Sequence, residues 1–472
     1  MRTKIVATIG PASAEKNILK KMLLAGLDVC RINMSHGNYA QHKKVIQTIK
    51  QLNKELGTNV PVLGDLQGPK IRLGEVKKDT FLKKGEIINI IAEEIIGDDK
   101  TISVSLKSIC QDVRKGDRIL LDDGKIVLES LGVEKNKLKA LVIQGGEISS
   151  RKGMNLPDSK LSVPCLSEKD IADISFLVEM QAEWIALSFV RSAADIIELR
   201  HIISNLRLEH KPYIIAKIEK PEAIEDFDNI LKETDGIMVA RGDLGLEIPL
   251  EKLPLTQKMI IKKTNAQSKP VIIATQMMEN MIYNIYPSRA EVNDVANSVM
   301  DGADALMLSA ETSVGKYPVE VIQTMQRIIS QVEDFEDIYY KHHQSKIKNN
   351  SRFITDSVLY TACSLAKDSE AKAIVAMTQS GYSAFKLSAQ RPKAKIFIFT
   401  NNKAIINTLN LLWGVEAFYY DKYISTDHTI EDIHYLLIKK GELKEGDMII
   451  NTASTPLQDY GKTNMLKLSC VK

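Results

Sequence analysis

The chain lacks most of what would mark a secreted, membrane-bound or nucleic-acid-binding protein. Only five cysteines occur in 472 residues: Cys30, Cys110, Cys165, Cys363 and Cys470. They are scattered and form no CxxC pair. That argues against a disulfide scaffold or a zinc finger and fits reduced thiols in the cytoplasm. No stretch approaches the ~18 consecutive apolar residues of a membrane span, so no membrane partner is expected. Met1 to Gly10 run straight into a strand pattern, without an apolar core of signal-peptide length. Charge of one sign is missing too: 63 Lys and Arg face 60 Asp and Glu, a formal net charge of +3. No nucleic-acid partner follows from that balance, although a local basic pocket for phosphates is compatible with it.

Common ligand motifs are also absent. Without GxxxxGK[ST] or GxGxxG, any nucleotide site must be built another way, and a Rossmann dehydrogenase is not suggested. HExxH is missing, which removes the usual zinc-protease signature. No internal repeat or low-complexity tract is found.

What is there is an ordinary globular composition, 44% apolar and 26% charged, in a chain long enough for two to four domains. Eight short, nearly continuous apolar runs read as strands buried on both faces. They are Lys4–Gly10, Leu27–Ser35, Val60–Gln67, Trp184–Val190, Tyr213–Glu219, Gly236–Asp243, Pro270–Gln276 and Ala305–Glu311. Helical segments alternate with them. Ser167 with Asp170, and Ser192 with Asp195, read as capping boxes in which Asp stands for Glu; Pro221 suits a first helical turn. Eight strands alternating with helices predict a (β/α)8 TIM barrel, with an open doubly wound sheet as the alternative.

Residues 70–162 have another texture. Short strands at Glu86–Ile91, Ile102–Ser105, Arg118–Leu121, Lys125–Leu128 and Lys137–Ile143 are separated by turn signals such as Asp123–Gly124. This reads as an inserted β lid domain over the barrel's C-terminal face. The barrel then comprises 1–69 and 163–340. Residues 341–472 form a C-terminal α/β domain, with strands at Ala373–Met377, Lys395–Phe399, Val415–Tyr420 and Asp447–Asn451. It is entered through a lysine-rich linker, Lys341–Ser351.

Polar residues gather at the C-terminal ends of six barrel strands, the catalytic face of such a fold. Two acids, Glu219 and Asp243, would converge with three cations, Arg31, Arg72 and Lys217. Carboxylates suit Mg²⁺, arginines clamp phosphate, and a lysine can neutralise a phosphoryl group in transit. Each residue alone has a plainer reading. Asp65 and Asp243 could cap helices, Arg241 could form a rim ion pair, and the methionines of Met277–Met281 could fill the core. The joint pattern points to a magnesium-dependent, phosphate-handling barrel.

Several long motifs then resemble the pyruvate kinases, in order and along essentially the whole chain. They are Arg31–Gly37 (RINMSHG), Ala216–Ile224 (AKIEKPEAI), Gly236–Pro249, Ala274–Met281 and Ser288–Pro318. The resemblance implies transfer of a phosphoryl group from phosphoenolpyruvate to ADP, giving pyruvate and ATP in glycolysis. It implies that Lys217 and Arg31 hold the phosphoryl group, and that Glu219 and Asp243 hold Mg²⁺, with Mn²⁺ as an alternative. Backbone N–H groups of Gly242 and Asp243, with Thr275, would take the substrate carboxylate. Asn33, Met34, Ser35, His36, Arg72 and Lys152 would contact the nucleotide. Thr275 and Ser309 would belong to a water-mediated proton relay.

Many family members read DTKGPEIR at the third strand and need K⁺. Here Asp65–Arg72 reads DLQGPKIR. Lys70 replaces the Glu and Leu66 a Thr that helps ligate K⁺, while Asn33, Ser35 and Asp65 remain as ligand positions. The combination resembles the potassium-independent branch, in which a fixed ammonium supplies the charge of K⁺. Thr378, Ser380, Gly381 and Ser383 resemble the family's effector phosphate loop, against the plainer reading of an ordinary turn. The resemblance further implies a homotetramer and allosteric control by a phosphorylated effector. Two rivals stand beside it: a magnesium-dependent aldolase or lyase barrel, and a non-catalytic sensor of phosphometabolites.

Overall fold

The computed structural model describes residues 1–206, 211–340, 351–422, 425–455 and 462–472. Residues 341–350 of the expected linker lie outside the described residues. Eight parallel strands close into a barrel: Lys4–Thr8, Val29–Asn33, Val62–Asp65, Trp184–Leu187, Tyr213–Ile218, Gly236–Ala240, Val271–Ala274 and Ala305–Leu308. The first pairs with the eighth in register Lys4 to Ala305, so the open sheet is ruled out.

Alternation along each strand divides the core in two. Val6, Val29, Leu63, Trp184, Ile215, Met238 and Ile272 fill the barrel interior. Their neighbours Ile5, Cys30, Val62, Ile185, Ile214, Ile237 and Val271 face the helices. Burying such a side chain contributes roughly 1.5–3 kcal/mol, which is why the strands contain so little that is polar until their ends. Both capping boxes form: the Asp170 carboxylate accepts the Ser167 N–H at 2.9 Å, and Asp195 accepts that of Ser192 at 3.0 Å. Pro221 opens the helix Pro221–Glu225.

All eight strands stop one to three residues short of their expected ends, and two of them run straight into a helical turn. The sixth strand stops at Ala240, and Arg241–Glu247 is already helical. The eighth stops at Leu308, with a helical turn at Ala310–Ser313. Polar residues at those ends leave the ladder and turn toward the mouth of the barrel.

The insert carries a six-stranded sheet in the order Met154–Asn155, Arg118–Leu121, Ile126–Glu134, Lys137–Gln144, Ile87–Ile91 and Thr101–Ser103. It has its own apolar core, including Ile88, Ile119, Leu128 and Leu138. Arg191, just after the fourth barrel strand, pins the returning chain by donating to the carbonyls of Leu161 and Val163, both at 2.8 Å.

The C-terminal sheet runs Val415–Tyr419, Lys395–Thr400, Ala373–Met377, Met448–Ala453 and Met465–Cys470, the last antiparallel. It docks under the barrel's N-terminal end. Leu411 joins the interior cluster, Trp184 Nε1 donates to the Thr408 carbonyl at 3.2 Å, and buried Arg391 pairs with Asp304 at 2.9 Å. The five cysteines are free. Among the described residues, no helix is long and apolar enough to cross a membrane.

Candidate active site

The barrel's C-terminal face gathers charges that the strands alone would keep apart. Lys217 lies near the end of the fifth strand. Its ammonium donates to Ser188 Oγ at 2.7 Å and pairs with Glu219 at 2.9 Å and Asp65 at 3.2 Å. Arg31, from the second strand, donates from Nε to the other oxygen of Asp65 at 2.7 Å and from Nη1 to Thr8 Oγ1 at 2.8 Å. Burial works against the Lys217 charge, but Asp65 and Glu219 outweigh it and push its pKa up. Burial likewise raises the Asp65 carboxyl, yet Lys217 and Arg31 hold it below its ordinary value. Glu219 is raised by burial, against the pull of Lys217 and with a further push from Asp243.

Asp243 stands in the first turn of the helix Arg241–Glu247. Its carboxylate is 27% exposed, and the Lys70 ammonium lies 3.6 Å away. Glu219 and Asp243 thus offer hard oxygens close enough for one charge to act on the other. Among the described residues there is no larger cluster of metal-ligating side chains. Two carboxylates, with substrate and water completing the shell, fit the way a protein holds Mg²⁺.

The turn after the seventh strand is strained. Thr275 has φ 68° and Gln276 φ 54°, values rare for residues other than glycine and an outlier for a β-branched one. Arg241 holds this turn: Nη2 donates to the Thr275 carbonyl at 2.8 Å, and Nη1 pairs with Asp294 at 2.7 Å. Thr275 Oγ1 accepts the Gly242 N–H at 2.7 Å and donates to the Ala274 carbonyl at 2.6 Å. The Gly242 N–H is therefore engaged, so a substrate carboxylate would share or displace that bond. Ser309 begins the next turn, its N–H donating to Glu311 at 2.7 Å.

The residues expected at a nucleotide lie on both the barrel and the lid. Asn33 Oδ1 accepts the Ser35 N–H at 3.1 Å. The pKa of His36 is lowered by burial and by the charges of Arg72, Arg31 and Lys70, which marks a cationic neighbourhood. On the lid side, Arg72 donates to the Arg151 carbonyl at 3.2 Å and Lys152 pairs with Asp122 at 2.9 Å. Met34 is the buried residue of the Asn33–His36 segment. Its side chain is packed in the barrel core, its N–H donates to the Asp65 carbonyl, and its carbonyl accepts from Lys169.

In the C-terminal domain, Gly381 takes φ 80° and its N–H donates to Thr378 Oγ1 at 3.1 Å. The Tyr382 N–H donates to Ser380 Oγ at 3.4 Å, and Ser383 is buried against Thr463 Oγ1 at 3.0 Å.

Sequence reading missed Ser188 and the backbone N–H of Phe189, which donates to Glu219 at 2.7 Å. The available signal was position. Both follow the fourth barrel strand, on the same face as the other strand ends, and Phe189 adopts φ 56° there. Arg241 is in a rim ion pair, as its plainer reading had it. Met277, Met278 and Met281 are fully buried core.

Comparison with known proteins agrees with this fold. The family model for the pyruvate kinase barrel domain matches residues 1–322, and that for the pyruvate kinase alpha/beta domain matches 356–469. A pyruvate kinase of Mycobacterium intracellulare is 41% identical over 98% of this chain and 97% of its own. One from Thermococcus litoralis is 39% identical over 99% and 98%. A crystal structure of a pyruvate kinase from Cryptosporidium parvum superposes with a TM-score of 0.94 at 33% identity, covering 100% of this chain and 96% of that one. With its closed barrel, its lid and its Lys217–Glu219–Asp65 cluster, the chain belongs to the pyruvate kinase family.

Proposed function

We infer that the chain is a phosphotransferase that moves the phosphoryl group of phosphoenolpyruvate to ADP, giving ATP and pyruvate. The observation that carries this reading is the Lys217 ammonium, buried, charged and held between Glu219 and Asp65 beside Arg31. A sensor scaffold would have no use for so costly an arrangement of desolvated charge. A lyase would not need a cation at a phosphoryl position.

Lys217 and Arg31 neutralise the group in transit. Glu219 and Asp243 would hold Mg²⁺ or Mn²⁺, which would supply positive charge against the phosphate oxygens. The turn at Gly242, Asp243 and Thr275 receives the substrate carboxylate. Arg72, Lys152 and the Asn33, Ser35 and His36 segment steer the nucleotide phosphates. Once the phosphorus–oxygen bond to the enol breaks, the enolate carbon takes a proton through Thr275, Ser309 and water. Tautomerisation to pyruvate favours the ATP-forming direction.

Potassium is not required in this reading. Both oxygens of Asp65 are already paired, with Arg31 and Lys217, and Lys70 brings a fixed ammonium to the rim. The test is pyruvate formation with Mg²⁺, measured with and without K⁺. Strong turnover in both supports the reading. Turnover only with K⁺ keeps the phosphotransferase and removes the role of Lys70. No turnover from the folded chain favours an effector-locked enzyme first and the sensor second. In the variant Lys70→Glu, kcat without K⁺ is expected to fall about tenfold, since a like charge now faces Asp243. Added K⁺ should recover most of that loss.

The barrel comprises 1–69 and 163–340, the lid 70–162 and the regulatory domain 341–472. The loop Thr378–Ser383 takes a phosphorylated effector, supported by the left-handed Gly381 turn. The working assembly is a homotetramer in the cytoplasm.

A further inference from the structure

Besides the Lys70–Asp243 pair at the rim, the lid meets the catalytic helix at a buried carboxylate. Glu247 ends the helix Arg241–Glu247, whose first turn carries Gly242 and Asp243. Its Oε1 accepts from Lys220 Nζ at 2.7 Å and from Asn155 Nδ2 at 2.9 Å. Lys220 follows Glu219 directly and precedes the helix Pro221–Glu225. Asn155 belongs to the lid strand Met154–Asn155. Side-chain exposure is 9% at Lys220 and 1% at Glu247, and Asn155 is buried too. Oε2 of Glu247 is buried without a hydrogen-bond partner. Another lid contact backs onto the same helix: a Cβ added at Gly124 would lie 3.1 Å from Leu246 Cδ2.

A carboxylate this deep, with one oxygen unpartnered, is tenable only while its remaining partners stay in place. Lys220 belongs to the barrel and is always near. Asn155 arrives with the lid. The three side chains therefore join lid position to the two segments that present Glu219 and Asp243. We propose that Asn155, Glu247 and Lys220 form a closure latch, in which Glu247 is a positioning residue that fixes the Arg241–Glu247 helix against the fifth strand when the lid is down. The latch rests on the phosphotransferase reading for its purpose. It touches no substrate.

The test uses the full-length chain and three variants: Asn155→Ala, Asn155→Asp, and Asn155→Asp combined with Glu247→Gln. Asn155→Ala should lower kcat about tenfold, the rate equivalent of one lost hydrogen bond to a charged group. Asn155→Asp sets carboxylate against carboxylate and should be worse. Adding Glu247→Gln gives the introduced lid carboxylate an amide donor and leaves Lys220 an anionic partner, so activity should partly return. Hydrogen exchange supplies a readout independent of turnover. Phosphoenolpyruvate with Mg²⁺ should slow amide exchange across residues 241–247 in the parent chain, and slow it less in Asn155→Ala. Unchanged exchange in the substrate-free barrel core shows that the variants are folded. Parent-like kcat and protection in Asn155→Ala would overturn the latch, as would a double variant no better than Asn155→Asp. A parent chain that forms no pyruvate sinks the phosphotransferase reading instead, while the exchange comparison still judges the latch.

Discussion

Replacing Lys217 with methionine is expected to lower kcat by about 10³-fold or more, the scale on which cations that meet a transferring phosphoryl group contribute. The side chain is shaped for that task. Its ammonium is removed from water and held by Ser188, Asp65 and Glu219, so it can face incoming charge without reorganising. The variant also leaves Glu219 without its cation and Asp65 with Arg31 alone. Removing one partner of a buried ion pair costs about 3–5 kcal/mol, so the thermal midpoint must be read beside the rate. Lys217→Arg separates the two effects. It keeps the charge and relieves the carboxylates, but a planar fork cannot occupy the position of a compact ammonium. Activity should stay low while stability recovers. A Lys217→Met chain that is folded and turns over like the parent would end the assignment.

The same cluster sets a pH window. Lys217 is raised, so its contribution to stability is complete below its unfolded value of ~10.4 and disappears as pH rises through the higher folded value. Asp65 is lowered, so its contribution is present above ~3.9 and lost as pH falls through the lower folded value. Between those limits neither group should produce a limb in the stability profile. A Lys217 that lost its proton near pH ~8, well below the ordinary lysine value, would show one.

How legible this was depended on the kind of signal. The barrel strands read well because burial on both faces leaves an unbroken apolar run, as in Gly236–Ala240 and Val271–Ala274. Their ends read less well, because Arg241–Glu247 is polar for chemical reasons and helical for geometric ones. In the lid, Lys125–Leu128 marked only the start of the nine-residue strand Ile126–Glu134. Irregular pairing at Ser130 and Gly132 interrupts the pattern there. The edge strand Met465–Cys470 was missed, being half exposed and short of buried apolar residues. The charged residues of the cluster were legible at their strand ends, but Ser188 was not, since a lone hydroxyl there reads as ordinary strand termination. Those acting through the backbone, such as Phe189, were not, since an N–H group has no letter of its own. Nor does sequence spacing reveal that Asn155 and Glu247, 92 residues apart, share a bond.

Thr275→Ala is expected to slow pyruvate formation about 10²-fold, the lower end of what a positioned proton donor contributes. The hydroxyl is fixed between the Gly242 N–H and the Ala274 carbonyl, and the backbone is held at φ 68° by Arg241. Such strain costs of order 1–3 kcal/mol and persists only where the surroundings enforce it. Thr275→Ser keeps the hydroxyl and removes the β-branch that makes this φ unfavourable. It should retain most activity with a thermal midpoint equal to or above the parent's. The informative measurement is exchange of the pyruvate methyl hydrogens with D₂O, with ATP and Mg²⁺ present. If Ala slows both turnover and exchange while Ser slows neither, the hydroxyl moves the proton. If Ala slows turnover but leaves exchange untouched, Thr275 works by holding Gly242 and the carboxylate turn, and the relay must start elsewhere. If Ala slows neither, the strain at this position serves something other than catalysis.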